Sequence, residues 1–396
     1  MESLASPDRP NRIVIVGGGL TAAHAVETLR GEGHSGPITV VAAESHPPYQ
    51  RPPLSKSFLK GDKPLDVVYP HDAGWYAGQG VELLTGRTAA SLDLGAGTLA
   101  LDDGEPLGFD ALLLATGAVP RVPDVPGARR ALYLRTIEDS QRLQRVLAAR
   151  GRLVIVGAGW IGLEVAAAAR EAGLGVTVLE RDPLPLLRVL GPQLARYVAD
   201  LHARHGVEIR TGVTVEQVRE DGVVTADGIV PADDVLVGVG AVPVTDLAEQ
   251  AGIACENGVL VDERLRSSDP RVYAAGDVAN AHNTALGRRL RVEHWENAAR
   301  QGELAARAML GQDVAYDWQP YFYTDQFDFG MEYVGNGSPD DEVVVRGSLE
   351  SGEFVAYWLS GETLTAAMNV NIWDVSDRLR AMVGTTVDRD ALTDLR

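Results

Sequence analysis

Residues 152–182, RLVIVGAGWIGLEVAAAAREAGLGVTVLERD, decide the fold of this chain. They open with the apolar, β-branched run LVIV, which predicts a strand buried on both faces. Gly157, Gly159 and Gly162 follow directly in the spacing GxGxxG, and a second apolar strand ends at Glu180. Such glycines allow a tight turn, a close backbone approach to a pyrophosphate and close helix–strand packing, while the acid binds a ribose. This βαβ unit is therefore expected to bind a dinucleotide.

The same design occurs near the N-terminus. There the run IVIV leads into a glycine motif with alanine in the third small position, and the next strand ends at Glu44. The residues expected to cradle a phosphate in this motif are Gly17, Gly19, Leu20, Thr21 and Ala22. Two independent fingerprints imply two dinucleotides, or one bound twice. The more economical interpretation is FAD plus a nicotinamide cofactor.

Composition excludes several classes of protein. A net charge of −19 argues against nucleic acid and anionic membrane surfaces as partners, because like charges repel. A single cysteine, Cys255, excludes an intramolecular disulfide and favours a reducing cytoplasm. The leader MESLASPDRPN lacks the apolar core of a secretory signal, and no apolar run approaches the roughly 18 residues that a membrane span needs. We therefore expect a cytoplasmic protein.

A proline-rich segment, SHPPYQRPPLSKSFLKG, follows Glu44. Its prolines predict an extended, stiff connector, after which Ser55 would begin a short helix that contains Lys56. Arg51 and Lys56 can be read as solvated loop charges or as cofactor contacts. Their place just after a nucleotide-binding acid, in a segment that prolines hold rigid, favours cofactor contact.

Three domains are expected. Residues 1–117 and 244–318 form the first dinucleotide-binding domain, with an antiparallel sheet inserted at residues 81–110. Residues 118–243 form the second, and the strand that ends at Thr116-Gly117 and the later GAVP stretch mark proline-rich hinges between the two. Residues 319–396 are rich in aromatic and acidic side chains and indicate a separate α+β domain.

Two further motifs lie before the C-terminal domain. Gly276 and Asp277 end an apolar strand, where ligands of open α/β sheets bind, although an aspartate there can equally cap a helix. The motif EHWEN then begins a helix, and its Trp295 more often reflects packing than cofactor contact.

The distribution of cysteine limits the chemistry. Disulfide reductases of this architecture need paired cysteines beside the flavin, and peroxidases need one, but no cysteine lies between Glu44 and Lys56. Cys255 is most simply a packing thiol, and no cysteine cluster exists for an iron–sulfur centre or other metal. Electrons from a bound flavin must therefore pass to a separate acceptor protein. Arg288, Arg289 and Arg291 can be read as a basic patch for that acceptor or as a solvated hairpin.

The chain resembles the FAD-dependent NADH:ferredoxin reductases that serve cytochrome P450 and Rieske dioxygenase systems. The resemblance rests on GGGLTA, PYQRPPLSK, LLATGAVPR, LRTIEDS, VGAGWIGLEVA, VYAAGDVAN, VEHWENA and PYFYTDQFD, which span nearly the full length. It implies an α/β fold with two Rossmann-like domains of the glutathione-reductase-like flavoprotein type, plus a C-terminal α+β domain against the flavin. FAD would occupy the first domain, NADH the second, and a [2Fe–2S] ferredoxin would accept the electrons.

The same resemblance implies roles for individual residues. Those expected to act in catalysis are Lys56, Glu164 and Trp295. Those expected around FAD, besides the first glycine motif, are Glu44, Arg51, Pro53, Lys56, Thr116, Gly117, Gly276, Asp277, Glu293, His294 and Trp295. Glu164 would face the nicotinamide side. Glu180 would bind the NAD ribose and favour NADH over NADPH, although Arg181 could instead hold a 2′-phosphate.

One motif departs from the pattern of these reductases, because Tyr321-Phe322-Tyr323 stands where tryptophans usually begin the third domain. Two alternatives stay open. One is a rubredoxin, quinone or dye reductase of the same fold, and the other is an NADH-sensing flavoprotein that does not turn over.

Overall fold

The computed structural model describes residues 10–395, which form two compact units. The first unit contains residues 10–51, 65–119 and 242–318. The second contains residues 52–64, 120–241 and 319 onward.

In the first third of the chain, the strands and α-helices are β1 (Ile13–Val16), α1 (Leu20–Gly31), β2 (Ile38–Ala42), α2 (Ala73–Gly78), β3 (Val81–Thr85), β4 (Ala89–Asp93), β5 (Thr98–Leu101), β6 (Pro106–Gly108), β7 (Ala111–Leu114), β8 (Ala118–Pro120) and α3 (Ile137–Ala149). Those of the middle third are β9 (Arg152–Val156), α4 (Trp160–Glu171), β10 (Gly175–Leu179), α5 (Leu187–Arg204), β11 (Glu208–Arg210), β12 (Val215–Arg219), β13 (Gly222–Thr225), β14 (Gly228–Pro231), β15 (Asp234–Val237), β16 (Ala241–Pro243), α6 (Asp246–Gln250) and β17 (Val259–Val261).

Those of the last third are β18 (Val272–Ala274), β19 (Ala279–Asn283), β20 (Arg288–Leu290), α7 (Trp295–Met309), β21 (Tyr321–Gln326), β22 (Phe329–Gly335), β23 (Glu342–Ser348), β24 (Glu353–Ser360), β25 (Thr363–Val370) and α8 (Ser376–Met382).

A parallel sheet in the order β18-β7-β1-β2-β3 forms the centre of the first unit. Every residue of β1 and β7 is buried, which explains why both strands read as unbroken apolar runs. The predicted inserted sheet is smaller than expected, because β3 pairs in parallel with β2 and only β4, β5 and β6 form the antiparallel insertion. Alternation alone could not separate a sheet-edge strand from a hairpin strand.

The second unit contains a parallel sheet in the order β11-β10-β9-β15 and an antiparallel sheet of β12, β13 and β14. Helix α5 is interrupted at Gly191, whose φ of 71° is left-handed, and Pro192 begins the longer segment. The C-terminal residues form an antiparallel sheet in the order β21-β22-β25-β24-β23, against which α8 packs through Leu379. The predicted α/β class with an added C-terminal α+β region is confirmed.

Candidate functional site

The first glycine loop (residues 17–22) joins β1 to α1. Gly17 has a φ of 132°, and a Cβ there would overlap the carbonyl oxygen of Ala115 on the neighbouring chain segment. Gly19 is the N-cap of α1, and nothing lies within 4 Å of where its Cβ would be. The first N–H groups of a helix have no partner within the helix and carry partial positive charge. The open space before α1 therefore suits an anionic pyrophosphate.

Glu44 lies just after β2 and is bound by side chains. The hydroxyl of Tyr49 donates a hydrogen bond to Glu44 Oε2 at 2.5 Å, and Arg51 Nη2 lies 3.2 Å from Oε1. Arg51 also donates to the Tyr49 hydroxyl at 3.0 Å. Burial raises the pKa of Tyr49, so its hydroxyl stays a donor at neutral pH. The carboxylate is thus fixed by two side chains, and 28 % of its side chain remains exposed.

Asp277, His294 and Trp295 lie in the same unit as Glu44. Asp277 sits in the 3₁₀ turn Gly276–Val278 and does not cap an α-helix, so that alternative is wrong. Its charge acts on both Arg51 and His294, which brings these predicted residues together. Burial lowers the pKa of His294 to about 4, although the charge of Asp277 opposes the shift. His294 is therefore neutral at physiological pH.

Trp295, the first residue of α7, is not a core residue. Its side chain is 41 % exposed, and its indole Nε1–H donates to Gln50 Oε1 at 2.8 Å. The packing interpretation of this tryptophan is wrong, because the indole is held by a polar contact at the surface of its unit. An aromatic face held in this way can contact a ligand ring.

The remaining predicted residues of the first unit are tied to its scaffold. Thr21 Oγ1 donates to the carbonyl of Ala298 at 3.0 Å, and a Cβ on Gly276 would overlap that same hydroxyl. Thr116 Oγ1 donates to the carbonyl of Val244 at 2.7 Å, and the carbonyl of Gly117 accepts from the N–H of Val244 at 3.0 Å.

The second glycine loop (residues 157–162) joins β9 to α4 in the same manner. Gly157 has a φ of 102°, and a Cβ there would overlap the carbonyl oxygen of Gly238. A Cβ on Gly162 would in turn overlap the carbonyl oxygen of Gly157, which is the close helix–strand approach predicted for the third glycine. Around Gly159, the N-cap of α4, the space is open. This loop also suits a pyrophosphate.

Glu180, after β10, is bound by backbone atoms. Its Oε2 accepts from the N–H of Ala158 at 2.7 Å, and its Oε1 accepts from the N–H of Asp182 at 2.8 Å. The carboxylate therefore bridges the glycine loop and the end of β10. Arg188 Nε pairs with Asp182 Oδ2 at 3.0 Å.

A third cluster surrounds Glu164 on α4 and contains two predicted residues, Lys56 and Glu164 itself. We call it the Glu164 cluster, and it consists of Ser55, Lys56, Glu164 and Thr324. Glu164 is 5 % exposed; Ser55 donates to its Oε2 at 2.5 Å, and Thr324 donates to its Oε1 at 2.6 Å. Lys56 Nζ forms an ion pair with the same Oε1. The cluster is a buried carboxylate held by three donors, one of them charged.

Comparisons with known proteins agree with this geometry. The sequence profile of the pyridine nucleotide-disulphide oxidoreductases matches residues 11–302, and a reductase C-terminal profile matches residues 321–396. Putidaredoxin reductase of Pseudomonas putida is 36% identical over 91% of this chain and 89% of its own length. The biphenyl dioxygenase ferredoxin–NAD(+) reductase component of Paraburkholderia xenovorans is 38% identical over 96% of this chain and 94% of its own.

A solved structure, the covalent putidaredoxin reductase–putidaredoxin complex, matches with a TM-score of 0.91 and 34% identity over 94% of this chain and 93% of its own. The chain belongs to the pyridine nucleotide-disulphide oxidoreductase family. It is an FAD-dependent oxidoreductase that uses NADH, as the paired fingerprints predicted.

Both cofactors of the family fit the residues present. Each glycine loop offers an open space before a helix N-terminus, and each is followed by a carboxylate at the end of the next strand. The order of the two loops assigns neither cofactor by itself, since their local designs are alike.

Several contact residues of these sites carried no sequence signal of their own. Tyr49 lies within the PYQRPPLSK motif and could have been found there, because it is two residues from Arg51.

Ser55 ends the 3₁₀ helix Pro52–Ser55 rather than beginning a helix as predicted, and the carbonyl of Pro53 accepts from the N–H of Lys56 at 3.1 Å. Proline suits the first turn of a helix because its missing N–H needs no partner there.

The predicted arginine patch is mostly engaged in structural contacts. Arg291 pairs with Glu293 at 2.5 Å and its side chain is only 11% exposed. Arg289 donates to the backbone carbonyls of Val261 and Asn280. Arg291 therefore does not present an outward guanidinium group, whereas Arg288 and Arg289 are exposed residues of β20. Glu293, predicted near FAD, is the ion-pair partner of that arginine.

Cys255 is half-buried, and its thiol lies 3.4 Å from the carbonyl of Ile253. Burial, and secondarily the charge of Glu249, raises the pKa of this thiol, which disfavours the reactive thiolate.

Among residues 10–395, no cluster of His, Cys, Asp and Glu is arranged to hold a metal ion. No helix in that range is long and apolar enough to cross a membrane.

Proposed function

We propose that this chain is an NADH-dependent ferredoxin reductase that supplies single electrons to a [2Fe–2S] ferredoxin of a cytochrome P450 or Rieske oxygenase. The observation that carries the proposal is the likeness, over more than nine-tenths of the chain, to reductases named for such ferredoxins. Bound FAD supplies the required chemistry, since a flavin accepts a hydride and can release electrons one at a time.

The first unit would hold FAD; it contains the expected binding domain, residues 1–117 and 244–318, except for residues 52–64, which belong to the second unit. We assign the pyrophosphate to the first glycine loop and the ribose to Glu44, which Tyr49 and Arg51 hold in place. Asp277 would contact the ribityl chain, and the exposed indole of Trp295 would lie against the flavin. Glu293, His294, Thr116 and Gly117 would shape the surrounding wall.

Residues 118–243 would bind NADH through the second glycine loop and Glu180. A carboxylate beside the adenosine ribose repels a 2′-phosphate, which supports NADH over NADPH. We assign Lys56 and Glu164 to the reacting end of the flavin, where a buried ammonium–carboxylate pair supplies fixed charge. Residues 319–396 would form the third domain.

The acceptor would be a separate protein, because the thiol of Cys255 is held in a protonated, unreactive state. The net charge of −19 opposes an acidic ferredoxin at long range, but screening limits this repulsion to about 8–10 Å at physiological salt. Docking would then depend on local contacts. A single cysteine also supports a place in the reducing cytoplasm.

Steady-state NADH oxidation tests the proposal directly. We expect rapid turnover with a [2Fe–2S] ferredoxin from the same cell and much slower turnover with rubredoxin or a quinone. Faster turnover with either of these would favour the alternative reductases. Negligible turnover with every carrier, together with a persistent NADH–flavin complex, would favour a sensing protein.

A further inference from the structure

The Glu164 cluster continues into a buried chain of hydrogen bonds that neither cofactor accounts for. Gln326 Nε2 donates to Thr324 Oγ1 at 3.2 Å, and His202 Nε2 lies 2.8 Å from Gln326 Oε1. Thr324, Gln326 and His202 are each at most 1 % exposed. We call these three residues the donor chain. They join the C-terminal sheet and α5 to the carboxylate on α4.

The direction of every hydrogen bond in the donor chain follows from the charge of Glu164. A carboxylate only accepts hydrogen bonds, so the Thr324 hydroxyl must donate to it. The Thr324 oxygen then accepts from the amide nitrogen of Gln326, which turns the Gln326 oxygen towards His202. His202 must therefore carry its proton on Nε2. Each group donates towards Glu164, and the positive ends of all these dipoles face the carboxylate.

His202 can end such a chain because it stays neutral. Burial lowers its pKa to about 4, while its hydrogen bond to Gln326 opposes the shift. Its Nδ1 is buried without a hydrogen-bond partner in residues 10–395, and the ring lies edge-on to Phe327 at 5.2 Å. Protonation would place a charge in an apolar environment, so the chain keeps one polarity across physiological pH.

We propose that Thr324, supported by Gln326 and His202, is a positioning residue that fixes the Glu164 carboxylate and, through it, the ammonium of Lys56. This inference rests on the proposed role of Lys56 and Glu164 at the reacting end of the flavin. Lys56 Nζ lies 5.3 Å from the centre of the Tyr323 ring, so the strand that supplies Thr324 also borders the lysine. The C-terminal sheet thereby contributes to the redox site through β21 without supplying a catalytic residue.

The test compares Thr324→Val, which removes the hydroxyl at nearly constant volume, with Thr324→Ser, which keeps it. In the FAD-loaded enzyme, we expect Thr324→Val to slow anaerobic flavin reduction by NADH about tenfold, the effect of one hydrogen bond to a charged group. The NADH concentration that gives half the maximal reduction rate should change less than about twofold, since the Thr324 hydroxyl binds Glu164 and not the nucleotide. The visible spectrum and midpoint potential of the flavin should shift. Thr324→Ser should keep the wild-type reduction rate, visible spectrum and midpoint potential.

Thr365→Val is the matched control. Thr365 also lies in the C-terminal sheet and donates to a carboxylate, that of Asp341, at 2.5 Å. The Thr365→Val substitution should change thermal stability without changing the midpoint potential of the flavin or its rate of reduction. If Thr324→Val behaves like Thr365→Val, the proposal is wrong. Should Thr324→Val fail to fold, Gln326→Met removes the next donor and should slow reduction about threefold, as expected for a neutral hydrogen bond.

A double-mutant cycle separates this inference from the proposed function. The loss of unfolding free energy caused by Thr324→Val should largely vanish in a Glu164→Leu background, because leucine offers the Thr324 hydroxyl no acceptor. This coupling needs no NADH. A wild-type protein that NADH cannot reduce would overturn the proposed function while leaving the coupling measurable. Additive stability effects would overturn the donor chain itself.

Discussion

The two glycine loops share one backbone design but hold their acids differently. Glu44 is bound by the side chains of Tyr49 and Arg51, which belong to the proline-rich segment after β2. Glu180 is bound by the backbone N–H groups of Ala158 and Asp182, so its own loop suffices. The first acid is held by side chains from a further segment of the chain, and the second is held by backbone atoms alone.

This difference suits a resident cofactor and an exchangeable substrate. In the proposed assignment, FAD must survive many turnovers, and Arg51, Asp277 and Trp295 would give it extra contacts. NADH must leave after each hydride transfer, and uniform tight binding would only slow its release. If the proposed assignment holds, the same fingerprint serves a prosthetic group and a substrate, and the residues that follow the second strand of each unit distinguish the two sites.

The largest expected effect comes from filling the open space in each loop. Neither Gly19 nor Gly159 has a neighbour within 4 Å of a Cβ, so valine should fold at either position but occupy the phosphate cradle. Gly19→Val should purify without flavin colour. Gly159→Val should retain full FAD, measured by absorbance, with KM for NADH raised at least about a hundredfold, since phosphate contacts are lost. Loss of FAD from Gly159→Val alone would reverse the assignment of the two sites.

Replacing each of the two acids with glutamine should change a different cofactor property by about tenfold. Glu180→Gln removes the charge that repels a 2′-phosphate, so kcat/KM for NADPH relative to NADH should rise about tenfold. Glu44→Gln should leave that ratio unchanged and raise the dissociation constant of FAD about tenfold, because Arg51 loses its charged partner. Wild-type enzyme that already prefers NADPH would refute the role of Glu180.

Acid should weaken the second unit through His202. Its pKa is lowered from 6.5 to about 4, so its stabilising contribution is full above pH 6.5 and is lost as pH falls towards 4. At pH 5.5 the unfolded chain gains about 1.4 kcal/mol from protonating this residue. Compared with His202→Gln, wild-type unfolding free energy should fall by that amount between pH 7.5 and 5.5. If wild type and His202→Gln lose the same unfolding free energy between pH 7.5 and 5.5, the prediction is wrong.

The smallest expected effect concerns Tyr49. Tyr49→Phe removes one hydrogen bond to Glu44 but leaves Arg51 in place, so the dissociation constant of FAD should rise only about threefold. Fluorescence of released FAD after dilution measures it. An unchanged dissociation constant would show that Arg51 alone holds the Glu44 carboxylate. Glu44 and Glu180 would then differ by one side-chain contact rather than two.

Sequence reasoning succeeded where the pattern is local. The glycine loops and the acids that follow them involve residues close in sequence, whose geometry follows from strand, turn and helix chemistry. It failed where partners are distant, since Thr324 lies 160 positions from Glu164 and no periodicity connects them. It also misplaced the short helix near Lys56, because prolines 52 and 53 begin a 3₁₀ turn as readily as they extend a chain.

One measurement tests the central claim most directly: an anaerobic titration of the purified yellow protein with NADH, followed by mixing with oxidised [2Fe–2S] ferredoxin. One equivalent of NADH per FAD should bleach the flavin band, and two equivalents of ferredoxin should restore it, because a two-electron donor feeds a one-electron carrier. A colourless protein that takes up no FAD, or reduced flavin that ferredoxin leaves bleached, would contradict the account.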